Sequence, residues 1–138
     1  MALLTKKSIY GLMAIYELYS RKEDLKPMHL KDISKATDVP QSYLEQIFIE
    51  LKKANLISST RGAKGGYSIS KREKEILIKD ILVVLDGEIC TIKDRTNNPV
   101  FDTFFNDCNR ELNAIFDKPL SYIDDYKQLI ANQINYSI

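Results

Sequence analysis

Residues 39–70 read VPQSYLEQIFIELKKANLISSTRGAKGGYSIS, and the rest of the chain is arranged around them. Pro40 is tolerated only in the first turn of a helix, and Asp38 with Gln41 three places on offers a capping box. Leu44, Ile47, Phe48 and Leu51 then fall at i, i+3, i+4 and i+7, one apolar stripe at helical period. Ser42, Glu45, Gln46, Lys52 and Lys53 take the opposite face. Ala54-Asn55 ends the helix, asparagine being a good terminator. Residues 56–60 are rich in strand formers and residues 67–70 alternate apolar and polar, so two short strands are predicted there. Between them Arg61-Gly62-Ala63-Lys64-Gly65-Gly66 is a basic, glycine-rich hairpin tip.

Helix, strand, basic hairpin, strand is the closing half of a winged helix-turn-helix. Such a helix offers polar side chains to base edges, and such a hairpin offers cations to phosphate or to a minor groove. A nucleotide-binding phosphate loop is the weaker competing reading of the glycines, because no Lys-Ser/Thr closes the run at the Walker spacing and no helix follows it. An ordinary surface hairpin that binds nothing is the other competing reading. Charge weighs against it, because residues 52–74 hold seven Lys or Arg and a single acid, Glu73.

The run SYLEQIFIELKKANLISSTRGAKGGYSIS resembles the signature of the Rrf2 family of bacterial transcription regulators. That family combines an S-Y-L-E-Q recognition helix, a K-A-G-L-like strand start and an R-G-x-x-G-G-Y wing. The likeness extends to the first helix and to ILIKDILVVLDG, covering roughly residues 1–87. It implies that Ser42, Tyr43, Glu45 and Gln46, with Gln41 beside them at the helix start, face bases and phosphates. Glu45 would accept from a cytosine amino group and Gln46 would pair with adenine. Arg61 matches the family's minor-groove arginine, and Lys64 would hold phosphate. Tyr43 is equally readable as a half-buried helix residue.

The 138 residues are one domain's length. No stretch approaches the roughly 20 apolar residues of a membrane span, and MALLTKKSIYGL lacks the order of a signal peptide. Two cysteines without a framework of spacings suit a reducing cytoplasm. The net charge of +1 hides an asymmetry. Residues 1–87 hold 15 bases and 11 acids, whereas residues 88–138 hold 5 and 8. A basic front and an acidic back fit DNA binding followed by a part that does not touch DNA.

Residues 5–20 form the first predicted helix, with Ile9, Leu12, Met13 and Tyr16 as its core-facing stripe; Lys6, Lys7 and Tyr10 can reach phosphate or remain solvated. Residues 21–25 are a loop and 26–29 a short edge strand. His29 is far from either cysteine in sequence and is read as structural or solvated. Residues 30–37 are the positioning helix and Asp38-Val39 the turn. Ile78, Ile81, Leu82 and Leu85 mark a further helix closed by Gly87. Residues 88–98 are a loop without apolar period, of a length often functional. Pro99 starts a helix striped by Phe101, Phe104, Phe105, Cys108, Leu112, Ile115 and Phe116. Asp117-Lys118-Pro119 breaks it, and a last helix covers about 120–132.

The fold class is therefore mainly α with a small β-hairpin wing. It comprises a winged helix-turn-helix over 1–87, a loop over 88–98 and C-terminal dimerisation helices over 99–138. So much apolar helix on a small domain calls for a second copy, giving a homodimer that reads a palindromic operator, as the family resemblance also implies; folding back on its own domain is the alternative. Many Rrf2-like regulators hold an iron–sulfur cluster through three cysteines in the loop after the fourth helix plus one further ligand. This chain has Cys90 and Cys108 with no cysteine among the seventeen residues between. The places matching a ligand from the partner's first helix, Ile9 and Met13, offer neither carboxylate nor imidazole. A cluster assisted by Asp94, Asp107 or Glu111, a thiol redox switch, and cysteines without chemistry all stay open. Nothing activates a nucleophile or spaces a metal site, so no enzyme is expected. The expected function is a cytoplasmic, DNA-binding repressor. The alternative from another class is a winged protein-interaction module that does not bind DNA.

Overall fold

The computed structural model describes residues 2–24, 26–70, 75–89 and 91–136. Six helices and one hairpin follow in order: α1 (Lys6–Ser20), α2 (Leu30–Thr37), α3 (Gln41–Lys53), β1 (Ile57–Thr60), β2 (Gly66–Ile69), α4 (Ile78–Asp86), α5 (Pro99–Phe116) and α6 (Tyr122–Tyr136), with a 3₁₀ turn at Lys22–Asp24. One core joins α1 to α4 and the hairpin, and Leu120 drops into it from the corner between α5 and α6.

The helix at the centre of the sequence reading buries Leu44, Ile47, Phe48 and Leu51, the stripe read from its period. Asn55 ends it in the left-handed region at φ 60°. Its start differs from expectation. Asp38 takes φ 59° and closes α2, so it is not free to cap α3, which begins after Pro40 with no side-chain cap. The turn is held instead by the Ser34 hydroxyl, which donates to the Val39 carbonyl at 2.5 Å.

The hairpin pairs Ile57 with Ile69 and Thr60 with Gly66 in antiparallel register. The strand expected over 26–29 is reduced to a single bridge. Met28 N–H donates to Tyr67 O at 2.8 Å and Tyr67 N–H donates to Met28 O at 2.7 Å. That approach requires glycine next door: a Cβ on Gly66, at φ 134°, would lie 2.4 Å from the Met28 carbonyl oxygen.

In α1 the buried residues are Ser8, Gly11, Ala14, Ile15 and Leu18, not the expected stripe. Ile9 is 46% exposed and Met13 41%, while Leu12 and Tyr16 are half-buried. Close packing on α4 decides which face turns inward. A Cβ on Gly11 would stand 2.2 Å from Leu85 Cδ1 and 3.3 Å from Ile47 Cγ2, so the small-residue face is the one that fits.

Helix α4 buries Ile78, Ile81, Leu82 and Leu85 and stops at Gly87, φ 78°. The described residues of 88–98 form neither helix nor strand. Pro99 opens α5, with Asn98 Oδ1 accepting from Val100 N–H at 3.0 Å. The break at 117–119 is stapled to the chain entering α4: Ile78 N–H donates to Lys118 O at 2.8 Å, and Leu120 N–H to Ile76 O at 3.3 Å. Helix α6 starts later and runs further than expected. Tyr16 Oη on α1 donates to its Asp124 at 2.5 Å.

Candidate nucleic-acid interface

Burying one face of α3 forces the other outward. Gln41, Ser42, Glu45 and Gln46 are all exposed, on the N-terminal half of the helix. Tyr43 is half-buried, its ring edge-on to Tyr10 with centroids 5.3 Å apart. The half-buried reading of Tyr43 is the one the structure shows. The same contact half-buries Tyr10. Lys7 pairs with Glu50 at 3.2 Å, whereas Lys6 is exposed, 5.9 Å over the Tyr10 ring.

The wing tip brings Arg61 and Lys64 into solvent, and neither has a carboxylate partner among the described residues. The tip is shaped by its glycines: Gly62 sits at φ 107°, and a Cβ on Gly65 would lie 2.1 Å from the Thr60 carbonyl. Lys71, Arg72 and Lys74, counted in the sequence as part of the basic run, lie outside the described residues. His29 is exposed at the start of α2, and its side chain makes no capping hydrogen bond.

Two groups beyond this face fix the frame that carries it. Asp86, at the end of α4, accepts from the Thr5 N–H at 3.0 Å and from the Thr5 hydroxyl at 2.5 Å. Burial works against its charge, yet the two Thr5 donors and the nearby Lys7 hold its carboxyl below the ordinary value. Tyr16 is pushed up to about 12, by burial first and then by the hydrogen bond and charge of Asp124. Sequence reasoning found neither pair, because partners 81 and 108 residues apart leave no local signal.

The loop after α4 was expected, but the ties that hold it to α5 were missed in a similar way. Asn109 on α5 accepts from Ile92 N–H at 2.6 Å and donates to Ile92 O at 3.0 Å. Asp102 accepts from the Thr96 N–H at 2.8 Å and from its hydroxyl at 3.0 Å. Cys108 is half-buried on α5, and Cys90 lies outside the described residues. Among the described residues no three His, Cys, Asp or Glu side chains come close enough to hold a metal ion.

A short positioning helix, a helix with a polar outward face and a basic two-stranded wing define a winged helix-turn-helix protein. Residues 4–127 match the sequence model of the Rrf2 family, described as an iron-dependent transcriptional regulator. The chain belongs to that family, one of transcriptional regulators and not of enzymes. It is similar to the HTH-type transcriptional regulator CymR of Bacillus subtilis, with 36% identity over 90 residues, 65% of this chain and 64% of that protein. It is also similar to IscR of Photorhabdus laumondii, with 35% identity over 86 residues, 62% of this chain and 52% of that one. The match thus spans less than two thirds of these curated relatives. Among solved structures, CymR of B. subtilis, titled a global cysteine regulator, superposes with a TM-score of 0.81 at 28% identity, covering 91% of this chain and 98% of that one. IscR of T. potens does so with a TM-score of 0.74 at 26% identity, covering 91% and 89%.

The family's iron can be tested against the donors present. A cluster takes four ligands, most often thiolates. The described residues offer one thiol, Cys108, with exposed Asp107 and Glu111 beside it in sequence and no convergent third donor. Ile9 and Met13 on α1 supply no carboxylate or imidazole. The donors among the described residues do not by themselves fit a cluster. No helix among the described residues is long and apolar enough to cross a membrane.

Proposed function

We propose that this protein is a homodimeric, sequence-specific DNA-binding transcription regulator that acts in the cytoplasm and represses by occluding a promoter. The observation that carries the reading is the outward face of α3, polar and exposed from Gln41 to Gln46, opposite a helix face wholly given to the core. Residues 1–87 would bind DNA, 88–98 form the connecting loop and 99–138 join two copies. In the major groove Glu45 accepts from a cytosine amino group and Gln46 pairs with adenine. Gln41, Ser42 and Tyr43 fix the helix against backbone and base edges, Arg61 enters the minor groove and Lys64 meets phosphate.

Dimerisation is supported by α5 and α6, which leave Val100, Phe101, Phe104, Ile115, Leu129 and Ile130 exposed. Patches of that kind mark interaction sites, and a twofold pair presents two α3 helices to the two halves of a palindromic operator.

The test is selection of bound duplexes from a random pool by the full chain, followed by fluorescence anisotropy on the winner. Glu45→Ala should flatten the preference for that sequence over a scrambled one. Arg61→Ala should weaken both duplexes and lower the salt slope by about 1. If neither change mattered, or if no duplex were enriched, a protein-interaction module would be the better account.

A further inference from the structure

The DNA reading assigns no task to one residue at the middle of α3's outward face. Ile49 is 56% exposed, on a helix whose Leu44, Ile47, Phe48 and Leu51 are all buried. It stands seven residues after Ser42, four after Glu45 and three after Gln46. Those four therefore form one continuous stripe along the helix. Spacings of i, i+3, i+4 and i+7 are those by which a helix lying in a major groove presents side chains to successive base edges, as the homeodomain reading helix does. Three members of the stripe carry hydrogen-bonding groups. The fourth carries only carbon.

In the major groove the apolar feature a protein can recognise is the C5-methyl of thymine. An isoleucine can make no hydrogen bond there, and leaving its branched side chain in water forfeits the gain from burial. We propose that Ile49 is a specificity-determining residue that packs on one or two thymine methyl groups in each half-site. It would set a preference for thymine next to the bases read by Glu45 and Gln46. The inference rests on the reading that α3 enters the major groove.

The experiment uses the selected duplex, with each thymine replaced in turn by deoxyuridine, which removes the methyl and nothing else. For the unaltered protein, replacement at the contacted position should weaken binding roughly fourfold for each methyl buried. Ile49→Ala should bind the parent duplex with a similar loss and be indifferent to deoxyuridine at that position, a non-additive cycle. Ile49→Val should keep the sensitivity. Thermal melting of each variant checks that an exposed substitution leaves the fold intact. Deoxyuridine tolerated at every position, or sensitivity unchanged in Ile49→Ala, would overturn the inference while leaving the DNA reading standing. A change of mass in light scattering with unaltered methyl sensitivity would assign Ile49 to contact between copies and overturn it too. Failure to enrich any duplex would overturn both.

Discussion

Asp86 closes α4 and at the same time holds the start of α1, where Thr5 caps the helix by accepting from the Ser8 N–H at 3.3 Å. Because its carboxyl is depressed in the folded chain, the link stabilises above the unfolded value near 3.8 and is lost as pH falls through the lower folded value. Asp86→Asn should therefore lower stability by about 1 kcal/mol at neutral pH. Thermal melts should show the gap between variant and parent narrowing as pH drops below 4, on the order of the unfolded carboxyl value; a gap constant with pH would remove the charge from the account. The same helix shows where single residues mislead a reader of sequence. Ile9, Leu12, Met13 and Tyr16 are the larger side chains and make the better apolar stripe, yet Gly11 and Ala14 mark the face that meets α4. Hydrophobicity points to what benefits from burial. It does not register where two backbones must come close, and that is set by Leu85 and Ile47 from other helices.

At the scale of elements, α3 and α4 were legible because each is one period of apolar residues with a clear stop, Asn55 and Gly87. The hairpin was legible from its glycines and its alternation. The third partner of the hairpin was legible only in part: residues 26–29 read as a short edge strand, and a single bridge forms there. Met28 joins Tyr67 across 39 residues of sequence, and a bridge one residue long has no pattern of its own. Its steric mark is Gly66. Gly66→Ala would carry backbone strain of about 1–3 kcal/mol and set a methyl against the Met28 carbonyl. The expected outcome is a variant whose helical circular dichroism is retained but whose operator affinity falls, because Arg61 and Lys64 lose their placement. Affinity equal to the parent's would show that the wing takes no part in binding. The capping box read from Asp38 and Gln41 failed for a related reason: a turn of three residues cannot end one helix and cap the next with the same side chain.

For the molecule as a whole, the legible part was that α5 and α6 carry more apolar surface than one copy covers. Phe104 is 57% exposed and no residue of α5 is fully buried. Phe104→Asp together with Ile130→Asp should give a monomer by light scattering and weaken operator binding on the order of a hundredfold, through loss of two-site attachment. A dimer that persisted would place the twofold contact elsewhere. What a signal would act on was not legible, since ligand sets are made by convergence in space and the two cysteines are far apart in sequence. The donors described here lead to a further expectation: protein purified without oxygen should be colourless and free of iron and sulfide. Visible absorption with iron and sulfide in matching amounts would mean that Cys90 and Cys108, in one chain or across two, hold a cluster after all.

The staple at residues 117–119 bears on the operator itself. Lys118 and Leu120 lock the corner of α5 and α6 to the chain entering α4, and Asp124 grips Tyr16 on α1. We propose that these bonds make each copy a caliper with a fixed jaw, the arm that would clasp its twin held at one setting relative to α3. Two such calipers would measure a single distance along the duplex. Adding one base pair between the half-sites moves the second site by about 3.4 Å and turns it out of phase, and a rigid pair has no joint with which to follow. Binding should fall to that of one half-site, whereas a pair that tolerated the longer spacing would reveal a hinge at this corner.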